Sequence, residues 1–200
     1  MAVVVVGGHA RGVGKTSVVC GLIAAMPEHR WTALKITQHG HHICTGDGAR
    51  CDCATPDHSF TIIEERDSTG TNDTSRYLQA GAAASFWVST RPGSLAEAMP
   101  RVREIIGEAE SVILESNSVM AFLQPDVYLV VLNPGVEEFK PTLLEFLDRA
   151  SALLVHHGDV PEGRAVNPQL LLGKRAFAIT RAAYVTPEVV DFVRGHRKTG

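Results

Sequence analysis

Apolar residues occur in short runs that polar turns separate, and the first run sets the pattern. Val3, Val4, Val5 and Val6 are four consecutive valines that lead directly into glycines. An uninterrupted β-branched run of this length is typical of a strand that is buried on both faces. Apolar residues then recur at helical spacing over 16–26. The chain therefore begins with a strand, a glycine-rich turn and a helix.

The same alternation continues to the C-terminus. The pattern predicts further strands at 31–37, 61–63, 86–88, 112–115, 127–132, 152–155 and 176–180. It predicts helices at 73–84, with Asn72 or Asp73 as the N-cap, and at 95–106, 142–149 and 187–194. Strands that alternate with helices favour a mostly parallel sheet with helices on both faces. We expect one α/β domain over residues 1–200.

The first glycine-rich turn has the features of a phosphate-binding loop. A polyphosphate needs converging backbone N–H groups, a helix N-terminus, a lysine for the β and γ oxygens and a hydroxyl for Mg²⁺. Gly12, Gly14, Lys15 and Thr16 supply these groups in the required order. The usual first glycine is His9 here. The candidate nucleotide contacts are Gly8, His9, Ala10, Arg11, Gly12, Val13, Gly14, Lys15, Thr16 and Ser17.

Two alternatives stay open within this loop. A glycine-rich turn between a strand and a helix can contain Gly-Lys-Thr without binding a ligand, although the valine strand before it and the amphipathic helix after it favour phosphate binding. Arg11 either neutralises phosphate charge, in its own site or across a dimer, or is a solvated loop residue.

Two carboxylates are further candidates. Glu115 ends a buried strand, where a carboxylate can join the metal shell or orient water; the alternative is a strand end that faces solvent. Asp159 follows the 152–155 strand, where guanine-specific proteins place Asn-Lys-x-Asp, and its carboxylate favours GTP over ATP. A Gly-Asp turn before Pro161 explains Asp159 equally well.

Two further polar residues have open alternatives. Lys35 faces the site or lies at an edge of the sheet, and Asn117 assists Glu115 or serves a turn.

Residues 38–59 match neither a strand nor a helix, and we interpret them as a Cys/His-rich insertion or long loop. Three of the four cysteines lie here. Thiolates and imidazoles suit zinc or an iron–sulfur cluster, but the spacing fits no common motif, so a loop of reduced thiols is the alternative. The candidate ligands are Cys44, Cys51, Cys53, His42 and His58. Cys20, on the apolar face of the first helix, is predicted to be a core residue.

Charge and cysteine usage limit the partners. Nineteen Lys and Arg residues oppose 22 Asp and Glu residues, giving a net charge of −3, so no basic face indicates nucleic acid or a membrane. Because Met1 and Ala2 lead straight into the predicted first strand, we expect no signal sequence. We expect a cytoplasmic protein, in which clustered cysteines favour metal over disulfides.

Four segments in order resemble the molybdopterin-guanine dinucleotide biosynthesis adaptor proteins, the MobB family. The resemblance touches most of residues 1–132, and the Asp, Arg and Ala-Gly-Ala string is its most specific part. It implies a dimer-forming (SIMIBI-like) P-loop GTPase that works with a molybdenum-cofactor biosynthesis protein. The four segments are Gly14-Lys15-Thr16, residues 33–42, Asp73 to Arg76 with 79–82, and Val112 to Glu115.

The leading hypothesis is a Mg²⁺-dependent nucleoside triphosphatase, GTP-using and slow on its own. Lys15 would hold the β and γ phosphates, Thr16 the Mg²⁺ ion and Glu115 the metal shell or water, with a partner or second subunit completing the site. Three alternatives remain: a metallochaperone similar to the nickel-insertion GTPases, an ATP-dependent kinase or ligase like dethiobiotin synthetase, and a nucleotide-sensing module without turnover.

Overall fold

The computed structural model describes residues 1–38, 59–157 and 173–196. Within these residues eight strands form one sheet, in the order β3-β4-β2-β5-β1-β6-β7-β8. The strands are β1 Val3–Gly8, β2 Trp31–Gln38, β3 Phe60–Glu65, β4 Ala84–Thr90, β5 Ser111–Glu115, β6 Val127–Leu132, β7 Ala152–His156 and β8 Arg175–Ile179.

All neighbouring strands pair in parallel except β3, which runs antiparallel to β4 at one edge. The central strand β1 lies between β5 and β6, with Val6 opposite Glu115 and Gly8 opposite Val131. The carboxyl ends of β5, β1 and β6 therefore meet at one edge of the sheet, where ligands bind in folds of this class.

Five helices lie in the described residues. They are α1 Lys15–Ala25, α2 Asp73–Gln79, α3 Leu95–Glu108, α4 Pro141–Leu144 and α5 Pro187–Gly195. Short 3₁₀ turns follow α1, β5 and α4, at Pro27–His29, Ser118–Ala121 and Leu147–Arg149. The described helices include none that is long and apolar enough to cross a membrane.

Two hydrophobic cores lie on opposite faces of the sheet. Val4 and Val6 of β1 pack with α1 and α5 on one face, whereas Val5 packs with α3 on the other. Successive side chains of a strand point to opposite faces, so a run of valines fills both cores at once. This confirms the prediction of a mostly parallel sheet with helices on both faces. Cys20 packs against the first core, as predicted.

Two predicted helices are wrong in extent. The helix predicted over 73–84 begins as expected, with the Asn72 side chain accepting a hydrogen bond from the Ser75 N–H at 2.8 Å, but it ends at Gln79. Gly81 has φ +102°, a left-handed conformation that ends helices. The segment predicted as one helix over 142–149 is instead α4 followed by a 3₁₀ turn.

Candidate functional site

The β1–α1 loop has the backbone of a phosphate-binding loop. Gly12 and Gly14 have φ of +68° and +96°, values that side chains disfavour. Helix α1 begins directly after Gly14 without a side-chain cap, so its first N–H groups point toward the loop. The Lys15 ammonium spans the loop and donates to the Ala10 carbonyl at 2.9 Å. The loop thus gathers backbone donors and a cation around one small volume.

His9 replaces the usual first glycine without backbone strain, because its φ is not positive. Its imidazole is completely buried, and the Nε2 atom accepts a 3.4 Å hydrogen bond from the Asn133 N–H. The ring also packs edge-on against Phe139, and the His9 carbonyl accepts from the Lys140 N–H at 2.8 Å. His9 therefore ties the entrance of the loop to the segment that follows β6.

Burial and the nearby Lys15 and Lys140 ammonium groups lower the pKa of His9 to about 4, so its ring is neutral at pH 7. Burial and the neighbouring lysines likewise lower the pKa of Lys15 to about 8, and the Glu115 carboxylate offsets this shift only in part. The loop lysine is therefore held at a site that favours an incoming anion.

Asn117 fixes the start of the loop. Its side-chain oxygen accepts from the Gly8 N–H and its amide nitrogen donates to the Gly8 carbonyl, both at 2.9 Å. A Cβ atom on Gly7 would lie 2.4 Å from the same oxygen, so glycine is required there for close approach. Asn117 thus positions the loop. The sequence instead predicts that it assists Glu115 or serves a turn.

Glu115 is the most connected side chain of the site, with only 2% of its side chain exposed. Its carboxylate accepts from the Thr16 hydroxyl at 2.8 Å and from the Tyr77 hydroxyl and the Lys35 ammonium. Glu115 and the phosphate loop therefore lie in contact. A solvent-facing strand end is ruled out for this residue.

Asp73 is a second carboxylate at the same place. It lies 2.8 Å from the Lys35 ammonium, and its pKa is lowered because Lys35, together with a hydrogen bond from Thr16, outweighs the effect of burial. Arg76 approaches Asp73 at 3.6 Å and the Ser17 hydroxyl at 3.4 Å. Lys35 thus faces the site, which settles the alternative left open by its sequence.

The donor set fits a magnesium ion. Mg²⁺ in nucleotide sites takes one or two carboxylates, a hydroxyl and phosphate oxygens, and it keeps several waters. The Thr16 hydroxyl, Glu115 and Asp73 supply these oxygens around one point. Within residues 1–38, 59–157 and 173–196, no group of three or more His, Cys, Asp or Glu side chains is arranged to hold a metal ion.

A cavity of about 1250 Å³ opens above the loop. One wall is the phosphate loop with Glu115, and the other is formed by the end of β2 and by residues of β3 and β4, including Ile63 and Trp87. The cavity is larger than the phosphate site alone needs. Five cationic side chains line it: Arg11, Lys15, Lys35, Arg76 and Lys140.

One end of the cavity is aromatic. The Tyr184 ring covers Gly14 so closely that a Cβ atom there would lie 2.2 Å from the tyrosine Cε1 atom. His156 packs edge-on against this ring and donates from Nε2 to the Val13 carbonyl at 2.9 Å. Tyr184 and His156 therefore hold the loop near the start of α1.

Lys140 and Tyr184 are among the cavity residues that sequence reasoning missed. They lie more than 120 positions after the loop, in connections with no motif of their own, and only strand order brings them to β1. Residues 158–172 and 39–58 lie outside the described residues. The predicted roles of Asp159, Cys44, Cys51, Cys53, His42 and His58 therefore stay predictions.

No protein-family model matches this chain, and no curated protein sequence matches it. Solved structures do match. LpxK from Aquifex aeolicus, crystallised with ATP, is similar over 89% of this chain and 53% of its own, with TM-score 0.52 and 18% identity. HypB from Helicobacter pylori, crystallised with nickel, is similar over 98% of this chain and 90% of its own, with TM-score 0.50 and 12% identity.

MobB from Bacillus subtilis is similar over the whole of both chains, with TM-score 0.46 and 17% identity. The assignment of fold rests on the first two structures, and it confirms the predicted P-loop NTPase fold. This chain spans about half the length of LpxK.

Proposed function

We propose that this protein is a Mg²⁺-dependent nucleoside triphosphatase. The observation that carries the proposal is the 2.8 Å hydrogen bond from Thr16, next to the loop lysine, to the buried carboxylate of Glu115. This contact joins the start of α1, directly after the phosphate loop, to the carboxyl end of β5. Lys15, Thr16 and Glu115 then have the relative positions that triphosphate binding requires.

Each side chain has a defined task in this proposal. Lys15 leaves the Ala10 carbonyl to bind the β and γ phosphate oxygens, and the N–H groups of the loop bind the same phosphates. Thr16, Glu115 and Asp73 hold the Mg²⁺ ion, which neutralises charge on the transferred phosphoryl group when bound. Hydrolysis is slow, because Glu115 is engaged by Thr16, Tyr77 and Lys35 and is not a free base for water.

The biological role in this proposal comes from the sequence motifs. We propose GTP as the preferred nucleotide, with Asp159 accepting the N1 and N2 protons of guanine. We further propose a cytoplasmic homodimer that serves as an adaptor in molybdenum-cofactor biosynthesis, as the Asp73 to Ala82 string suggests. A difference in affinity between GTP and ATP that Asp159→Asn abolishes would support the choice of base.

The test is Mg²⁺-dependent phosphate release by Glu115→Gln. We expect the rate to fall at least about tenfold, since losing one charged ligand costs about 1.5–3 kcal/mol. Glu110→Gln is the matched control, because Glu110 pairs with Arg30 on the surface. A Glu115→Gln variant that releases phosphate at the unmodified rate would refute the proposed role.

The cavity favours a second candidate, phosphoryl transfer to a bound acceptor. Its far wall, with Trp87 and Ile63, lies beyond the loop and is lined by both apolar and polar side chains. Such a wall suits a small organic acceptor. Phosphorylated product, formed in place of free phosphate when candidate acceptors are added, would select this function.

The Cys/His-rich segment carries a separate proposal, which rests on its sequence alone. We propose that Cys44, Cys51 and Cys53 bind one zinc ion or contribute to one iron–sulfur cluster, with His42 or His58 as the fourth zinc ligand. Elemental analysis of protein purified anaerobically without chelator, beside the triple Cys→Ser variant, decides between this and reduced thiols.

A further inference from the structure

Lys140 lies at the junction between the phosphate loop and the segment that follows β6. Its side chain is half-buried and lines the cavity. Its main chain is fixed, because its N–H donates to the His9 carbonyl at 2.8 Å, and Phe139 before it packs on the His9 ring at 4.7 Å. Lys140 therefore has a set position relative to the entrance of the loop.

The Lys140 ammonium has cations as neighbours. Within the described part of the chain, no carboxylate lies within 4.0 Å of it. Burial lowers its pKa, and the nearby charges of Arg11 and Lys35 lower it further, although the Glu138 and Glu115 carboxylates oppose the shift. Lys35 provides the contrast, because it contacts both Asp73 and Glu115. A half-buried cation without a carboxylate partner is stabilised when an anion enters the cavity beside it.

The geometry also indicates which part of a nucleotide this anion is. The Lys15 ammonium, which donates to the Ala10 carbonyl, marks the position of the β and γ phosphates. Lys140 is joined to His9, the residue before Ala10, whereas Tyr184 covers Gly14 at the other end of the loop. Strand order places Lys35 and Lys140 on opposite sides of β1, since β5 and β2 lie to one side and β6 to the other.

We propose that Lys140 binds the terminal phosphate of the triphosphate, opposite Lys35, and so makes the site discriminate triphosphate from diphosphate. This inference rests on the proposed function. It also connects the terminal phosphate to α4, because Lys140 directly precedes α4 and its segment is tied to the loop through His9. Loss of the terminal phosphate removes the anion that holds Lys140 in the cavity.

The test compares two ligands across four proteins. Calorimetry measures the affinity of a non-hydrolysable triphosphate and of the diphosphate, each with Mg²⁺, for the unmodified protein, Lys140→Ala, Lys140→Arg and Lys174→Ala. Lys174 is the matched control, since it donates to the carbonyls of Asp148 and Ala150 away from the cavity. We expect Lys140→Ala to weaken triphosphate binding about tenfold and diphosphate binding less than about twofold.

Lys140→Arg should keep most of the preference, because the positive charge is retained, and Lys174→Ala should change neither affinity. Thermal unfolding of each variant shows that the fold is intact. Equal losses for both ligands, or an unchanged triphosphate affinity, would overturn the inference while the proposed function stands. If the unmodified protein binds neither ligand, the proposed function itself is wrong.

Discussion

At the scale of single residues, Lys35 determines the electrostatics of the site. Its ammonium is 17% exposed and contacts two carboxylates, which raises its own pKa even though burial acts against the charged form. Removing one partner of a buried charge pair leaves the other charge uncompensated. Lys35 therefore keeps Asp73 and Glu115 close together. In the proposed function, a Mg²⁺ ion held by these carboxylates would compete with Lys35 for the same oxygens.

His9 makes the stability of the protein depend on pH. Its pKa is about 4 in the folded protein and near 6.5 in the unfolded chain, so the unfolded chain binds more protons between these values. The contribution of His9 to the free energy of unfolding should therefore be constant above about pH 6.5 and fall as the pH drops toward 4. Urea denaturation at pH 7, 5.5 and 4.5 measures it.

His9→Gln is the control for this prediction. A glutamine oxygen can accept the Asn133 N–H but does not titrate, so the variant should lose part of the pH dependence. If the unmodified protein and the variant have the same dependence between pH 7 and 4.5, the buried His9 ring is not responsible for it.

At the scale of elements, the buried runs were the easiest to predict. Strands such as Val127–Leu132 are apolar at every position because helices cover both faces of the sheet, and this leaves a signal in one short window. Helix ends were harder, because Gly81 ends α2 through its backbone conformation rather than through any change in hydrophobic pattern. The antiparallel direction of β3 likewise has no local signal.

The residues of the site likewise fall into those that the sequence predicts and those that it does not. The loop glycines, Lys15 and Thr16 were predictable, since phosphate binding requires them at fixed spacing in one segment. Lys140 and Tyr184 were not, because their place in the cavity depends on β6 and β8 lying on the same side of β1. Such contacts between distant segments follow from topology, which no single window of sequence contains.

The two loop glycines offer a comparison of backbone conformation with packing. Both have positive φ, but a Cβ atom on Gly12 would meet nothing within 4 Å, whereas one on Gly14 would collide with the Tyr184 ring. We expect Gly12→Ala to lower the free energy of unfolding by about 1 kcal/mol. Gly14→Ala should lower it by at least about 2 kcal/mol, because overpacking adds to the strain.

Chemical denaturation of both variants measures these losses. Measured against Tyr184→Ala alone, the double variant Tyr184→Ala/Gly14→Ala should lose only the part due to φ. Equal losses for the two single variants would show that Tyr184 does not pack on Gly14 as the structure has it.

For the whole molecule, strand order sets the direction of the ligand. Tyr184 and His156, which follow β8 and end β7, lie at the Gly14 end of the loop, and Lys140, which follows β6, lies at the His9 end. In the proposed function the nucleobase points toward Tyr184 and the terminal phosphate toward Lys35 and Lys140. Bound nucleotide thus contacts connections from both halves of the sheet.

Nucleotide binding by the loop is the central claim, and calorimetric titration with Mg²⁺ and non-hydrolysable GTP and ATP analogues tests it most directly. Lys15→Ala should weaken binding at least about a hundredfold, since the lysine makes charged contacts worth about 3 kcal/mol, and should leave thermal unfolding unchanged. Lys174→Ala, outside the cavity, should bind normally. No binding by the unmodified protein, or unchanged affinity in Lys15→Ala, would contradict the claim.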